Sequence, residues 1–322
     1  MLRVIVPVVT AIIVGLVLSR ALSDGSDPSS LQAGVLPNVA AARAAAGITP
    51  VASPTPCPYC GQSEDRWRQV TNVAPPQLLG TSAALIEGSC GDEIYGLKSR
   101  QERAPASLTK IVTAMVVRDH LPLDQMVDIT VNGWDLASDT GSSIAGLEPG
   151  MQLSVEELLY GLLLPSGNDA ALQLAQVLGG SDRFVAMMNQ RVRDLGLADS
   201  AFRNPHGLDD PGAHTTPFDM TVLGRQLLQD PELAKIVATE ERDEPWHDHG
   251  VIWNGNYLLV VYPDAVGIKT GYTEQAGWSI VSAARRDGRL LVASVFNSSD
   301  IYLDSMRLFD WAFANVPDLC RS

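Results

Sequence analysis

Positive charge is scarce in this chain. Against 37 Asp and Glu, its 322 residues carry 23 Lys and Arg, a formal net charge of −14. It therefore lacks the basic face that phosphate binding and counterion release require, and no nucleic-acid partner is expected. A site for an anionic substrate has to supply its own local cation. Cysteine is also sparse: Cys57, Cys60, Cys90 and Cys320 are an even set, compatible with disulfides but too few for a disulfide-built scaffold. Cys57-Pro58-Tyr59-Cys60 has the spacing of a redox pair or half a zinc ribbon. No βαβ pattern surrounds it, and no second Cys-x-x-Cys completes tetrahedral zinc, so it reads as a disulfide, local or between segments. The five histidines include His206, His214, His247 and His249, with no third ligand at a fitting spacing. They read as loop and turn residues, and neither metal nor cofactor is expected.

What is present begins with one apolar run. Residues 4–19 are uncharged and follow Arg3, with Arg20, Asp24 and Asp27 beyond them. At 16 residues the run lies between a cleavable export signal and the roughly 17–25 residues of a spanning helix. Ala21-Leu22-Ser23 offers a cleavage site, and retention would tether the body outside the membrane; both outcomes stay open for a leader over residues 1–23. Residues 24–77, rich in Ala, Pro, Ser and Gly with one helix-prone patch at 38–46, read as a spacer. The folded body, 78–322, is of ordinary globular composition, the whole chain being 46% hydrophobic and 19% charged.

Within the body, 83–87 and 94–97 are short apolar runs split by Gly88, Ser89, Cys90, Gly91 and Asp92, which predicts a β-hairpin. Residues 107–117 predict a helix apolar on nearly every side, hence buried. A short strand is expected at 126–130. Ser154 with Glu157 three residues on forms a capping box, so a helix starts at Val155 and ends before Pro165. Asp169 and Ser181 are expected to cap the next two helices, leaving Ser166, Gly167 and Asn168 in a tight interhelical loop. Strands are predicted at 265–271, 277–284 and 290–297, the last two joined through Asp287-Gly288, with an amphipathic helix over 300–316. Helices inserted between an early hairpin and a late meander imply an α+β fold: an antiparallel sheet with packed helices and a helical subdomain.

Three short words carry chemistry: Ser107-Leu108-Thr109-Lys110, Ser166-Gly167-Asn168 and Lys269-Thr270-Gly271. Each alone is weak; their order and local context make the set specific. Ser107 opens a helix, where its hydroxyl meets the positive end of the dipole, and Lys110 lies one turn on along the same face. A serine is a poor nucleophile until a base takes its proton. A lysine serves as that base only if burial or a second cation lowers its pKa, and Lys269 is such a cation. Ser166 would relay a proton to the leaving amine, and the Asn168 amide would hold Lys110 and bond a substrate amide. Lys269 and Thr270 would grip a C-terminal carboxylate, while Gly271 leaves room for an extended peptide along the strand. The backbone N–H groups of Ser107 and Tyr272 are the natural oxyanion donors.

These motifs resemble those of the serine-type D-alanyl-D-alanine carboxypeptidases, the peptidase S11-like low-molecular-mass penicillin-binding proteins. The likeness runs over residues 78–316 and includes Ala104-Pro105-Ala106 before Ser107, Asp169-Ala170 after Asn168, Asn204-Pro205-His206-Gly207-Leu208, and Gly267-Ile268 before Lys269. It implies a β-lactamase/transpeptidase-like fold, removal of the terminal D-Ala of a peptidoglycan muropeptide through an acyl-enzyme on Ser107, and β-lactams as covalent inhibitors. Many relatives add a β-rich domain and a C-terminal anchor. Here the chain ends about fifty residues past Gly271, so neither is expected and membrane attachment falls to the N-terminus only. Two alternatives share the nucleophile. A class A β-lactamase needs a further glutamate, and residues 204–216 offer Asp209 and Asp210 but no Glu. A non-turning penicillin sensor or cell-wall binding module would acylate and stay acylated.

Overall fold

In the computed structural model, which describes residues 64–247 and 249–320, the early hairpin and the late meander meet in one sheet. Strands β1 (Ser82–Glu87) and β2 (Glu93–Leu97) form the hairpin; β3 (Met126–Asp128) pairs with β4 (Gln152–Ser154), and β5 (Glu241–Asp243) with β6 (Val251–Trp253). β7 (Ala265–Gly271), β8 (Ser279–Arg286) and β9 (Arg289–Phe296) complete an antiparallel five-stranded sheet of order β2-β1-β9-β8-β7. Asp287 and Gly288, at φ 51° and 82°, make the β8–β9 turn with the left-handed pair that a two-residue hairpin demands.

Both faces of the sheet are covered, which is why its strands read as continuous apolar runs. Alternate residues separate cleanly. Ile280, Ala284, Leu291, Ala293 and Val295 pack with Leu308, Phe309 and Trp311 of the helix Ile301–Asn315, whereas Val281, Ala283, Val292 and Phe296 face the helical subdomain. At its centre lies the helix Thr109–His120, whose residues from Thr109 to Val117 are all buried. Around it stand the helices Gly133–Thr140, Val155–Leu163, Asn168–Val177, Ser181–Asp194, Pro217–Leu227 and Pro231–Ala238. Hydroxyls buried against the sheet are satisfied in pairs, as where Thr221 Oγ1 donates to Ser294 Oγ at 2.8 Å and Ser294 to the Pro217 carbonyl at 2.7 Å.

The capping box forms as the sequence predicts: Ser154 Oγ accepts from Glu157 N, and Ser154 N donates to the Glu157 carboxylate. Asp169 and Ser181 do not cap. Ser181 is the first residue of its helix, and the cap position falls to Gly180 at φ 96°, a backbone that a side chain tolerates poorly. Asp169 lies inside its helix with its carboxylate turned into the protein. The body also starts earlier than Leu78. Trp67, in the short helix Trp67–Val70, stands edge-on to Trp311; Arg66 pairs with Asp92 at 2.6 Å, and Glu64 accepts from Ser99. Residues 64–73 thus belong to the fold rather than the spacer. The leader, spacer residues 24–63 with the 38–46 patch, Cys57, Cys60 and Asp248 lie outside the described residues. Among the described residues no helix is long and apolar enough to cross a membrane.

The C-terminal tail is tied back to the hairpin. Glu87, fully buried, pairs with Arg289, which also donates to the Val316 carbonyl at 2.6 Å, and Cys90 is bonded to Cys320 across 230 positions. Glu87, Asp318 and Cys320 also form a cluster of potential metal ligands. The Cys320 sulfur is committed to the disulfide and Glu87 to Arg289, so this cluster reads as part of the clamp. Replacing both cysteines by serine is expected to lower the unfolding free energy by about 2–5 kcal/mol. Urea transitions of the oxidised parent and the double variant measure it; coincident midpoints would mean that the Glu87–Arg289 contacts hold the tail unaided.

Candidate active site

Ser107 lies in the 3₁₀ turn Ala106–Leu108, which runs directly into the helix Thr109–His120. Ala106 adopts φ 47°, a strained left-handed conformation for a residue with a side chain, and such strain concentrates at functional turns. Strand β7 passes against this turn. A Cβ at Gly271 would stand 2.9 Å from Ser107 N and 3.2 Å from Leu108 N, so only glycine lets the strand approach. Its missing side chain makes room for the backbone of the serine turn itself, a close approach that the residue pattern did not announce.

Lys110 is fully buried. Its Nζ lies 3.0 Å from Ser107 Oγ, 2.6 Å from Asn168 Oδ1 and 2.8 Å from the His206 carbonyl. Two of these partners can only accept, so as the amine loses its proton its lone pair is left for the serine hydroxyl. Burial pushes the Lys110 pKa well below its ordinary value, the charge of Lys269 pushes the same way, and Asp169 opposes them. Lys269 is itself 2% exposed and lowered by burial to about 7, its Nζ donating to the Thr270 carbonyl. On β7 it shares a face with Gly271, at which the strand meets the serine turn. Thr270 Oγ1 lies beside the turn at Gly255, where a Cβ would stand 3.8 Å away.

The interhelical turn is held at several points. Asn168 N donates to the Ser143 carbonyl, Gly167 N to the Gly161 carbonyl, and Ser143 Oγ to the Ser166 carbonyl at 2.9 Å. Ser166 takes φ 66°, and its enclosed Oγ has no protein partner. Tyr272 is half exposed, its ring 4.9 Å from that of Trp278. An open cleft of about 620 Å³ is lined by Ser107, Ser143, Asn168, Gly207, Asp209 and Tyr272 among others. Lys110 is not on its surface but beneath Ser107.

In the sequence His206 reads as a loop residue with no chemical role. Its contribution is a backbone carbonyl, which no residue type advertises. The available signal was Asn204, whose Oδ1 accepts from His206 N and Gly207 N and folds the segment into a side-chain-capped turn. The strap is fastened again where Thr113 Oγ1 donates to the Pro205 carbonyl at 2.6 Å and Thr273 Oγ1 to Asp209 Oδ1 at 2.8 Å. The His206 ring is pushed down to about 4, first by burial and then by Lys110, so it is neutral near pH 7. Gly207 has φ 92°, and a Cβ there would overlap the Ala106 carbonyl. Gly207→Ala is therefore expected to cost at least about 1–3 kcal/mol of stability from the backbone alone. A variant with the parent's urea midpoint would show that the strap does not press on the serine turn.

Comparison with known proteins supplies an independent reading. A family model described as D-alanyl-D-alanine carboxypeptidase, peptidase S11, matches residues 69–300. D-alanyl-D-alanine carboxypeptidase DacF of Bacillus subtilis is 32% identical over 240 residues, covering 72% of this chain and 62% of the relative. DacB2 of Mycobacterium tuberculosis is 38% identical over 239 residues, covering 70% of this chain and 80% of that protein. The crystal structure of the Streptomyces K15 DD-transpeptidase superposes with a TM-score of 0.71 at 30% identity, covering 75% of this chain and all of the other. The chain thus spans less than two thirds of the length of its Bacillus relative, and the serine turn, the interhelical loop and β7 all fall within the 69–300 family match. It belongs to the peptidase S11 family of D-alanyl-D-alanine carboxypeptidases.

Proposed function

We propose that the protein removes the terminal D-Ala from peptidoglycan stem peptides through an acyl-enzyme on Ser107. The observation that carries this reading is the contact of a fully buried Lys110 amine with the Ser107 hydroxyl at 3.0 Å, with two further acceptors fixing the amine's direction. Ser107 Oγ attacks the carbonyl of the penultimate D-Ala as Lys110 takes its proton. The oxyanion forms against the backbone N–H groups of Ser107 and Tyr272, where loss of one donor costs on the order of 10²–10³-fold in rate. Ser166, whose hydroxyl is uncommitted, returns a proton to the departing amine, and water then releases the shortened peptide. Asn168 serves both Lys110 and the substrate amide.

The leaving D-Ala bears the carboxylate that the Lys269 charge and the Thr270 hydroxyl grip. A β-lactam, with its own carboxylate beside a reactive amide, takes the same place and traps the acyl-enzyme. Residues 1–23 export the body, and residues 24–63 space it from any membrane anchor, so the reaction runs in the cell envelope.

Ser107→Ala should abolish labelling by fluorescent penicillin while leaving the thermal transition nearly unchanged; undiminished labelling would remove this nucleophile. Mass spectrometry with a pentapeptide should detect free D-Ala, whereas stable acylation without D-Ala would make the protein a sensor. The pH dependence follows from the two lysines. Lys110 must be neutral to act as base, so kcat/KM rises on the acid side as it deprotonates. Lys269 must be charged to bind the carboxylate, and it loses its proton as pH climbs through about 7, so kcat/KM falls there. Lys269→Arg keeps its charge and should lose the alkaline limb; a limb that persists would assign it to another group.

A further inference from the structure

Of the fully buried acids that the mechanism leaves unused, Asp169 is the one beside the site. Asp169 is withdrawn from solvent, yet it follows directly on Asn168 and stands at a junction of the cleft wall. Its Oδ1 accepts from Ala145 N at 2.7 Å and Ala170 N at 2.9 Å, and its Oδ2 from Gly146 N and Leu147 N, both at 2.9 Å. Two glycines leave it room. A Cβ at Gly167 would stand 2.7 Å from Oδ1, and one at Gly133 would overlap Oδ2. The segment it grips continues back to Ser143, whose carbonyl and hydroxyl hold Asn168 N and the Ser166 carbonyl.

We propose that Asp169 is the positioning residue of this site: through the 143–147 segment it holds the Ser166–Asn168 turn against Lys110, and it brings a negative charge to a pocket containing two buried lysines. The proposal rests on Lys110 acting as the base. A neutral group could satisfy some of these amides, but not all of them, because a carboxylate is acceptor-only at both oxygens and faces N–H groups at both. The charge has its own reason: buried ions persist where they are compensated. Lys110 is faced by Lys269 from β7, by the neutral His206 from the strap and by Asp169 from its own helix, and Asp169 alone among these favours the charged amine.

Asp169→Asn changes one oxygen to an amide nitrogen, setting a donor against the donors of 145–147 and removing the anion. Acylation by fluorescent penicillin should slow on the order of 10²-fold, the scale of a misplaced reacting group. The acid limb of its pH profile should move to lower pH, since Lys110 loses the group that favours its proton. Ser143→Ala, at an exposed position, cuts only the tie to Ser166; it should slow acylation with the acid limb unmoved. An Asp169→Asn enzyme that acylates like the parent, or slows with its limb in place, overturns the proposal. Should that variant not fold, parental acylation by Ser143→Ala overturns it instead. The underlying reading fails separately, on the parent chain, if Ser107 is not labelled or Lys110→Ala reacts normally.

Discussion

A lysine amine sealed from water governs this structure. Burying an ammonium is among the costliest acts in folding, and the fold moderates that cost by supplying polar partners from three directions: the serine one turn back, an asparagine amide and a backbone carbonyl. The remaining cost is what makes the amine useful, since a group that resists its proton in the resting state is ready to take one from a hydroxyl 3.0 Å away. Lys269 increases the effect by presenting a second buried cation. In the proposed reaction the same charge that depresses one lysine is the counter-ion for the substrate carboxylate.

Holding this arrangement costs backbone strain, and the strain is local. Ala106 and Ser166 both carry side chains at positive φ, at the two turns that face each other across the site. Gly271 and Gly207 stand where any Cβ would strike the backbone of the serine turn. Such conformations survive only when their surroundings over-determine them. Here the surroundings are the five-stranded sheet behind β7, the buried helix behind Ser107 and the strap fastened at Thr113 and Thr273.

The far side of the molecule does a different job. The helix Ile301–Asn315 closes the outer face of the sheet, Asp304 accepts from Leu79 N and Gly80 N as the chain approaches β1, and the disulfide and Glu87–Arg289 hold the tail. None of these contacts touches the cleft. They fix β9 and β8, and through their ladder β7, so that the position of Lys269 inherits the stiffness of the sheet.

Local features were legible wherever a few neighbouring residues decide them. The capping box at Ser154, the Asp287-Gly288 turn, the apolar run through the Ser107 helix and the short apolar strands between turn residues all follow from short-range sterics and hydrogen bonding, and the order of the three words pointed to their chemistry. Legibility failed where a side chain had two possible partners: Asp169 reads as a cap because caps are local, yet it serves amides 22–24 positions away. It failed also where the working group is backbone, as at His206, and where a close approach comes from a distant segment, as where the serine turn meets Gly271. Primary structure alone carries the chemical identity of these residues and, to within a residue or so, their elements: Ser107 falls in a turn just ahead of its helix, Asn168 starts a helix instead of lying in the loop expected for it, and Lys269 is on a strand as expected. That Lys110 meets partners 58 and 96 positions away emerges solely from packing, because a buried charge is satisfied by whichever acceptors the folded core brings to it.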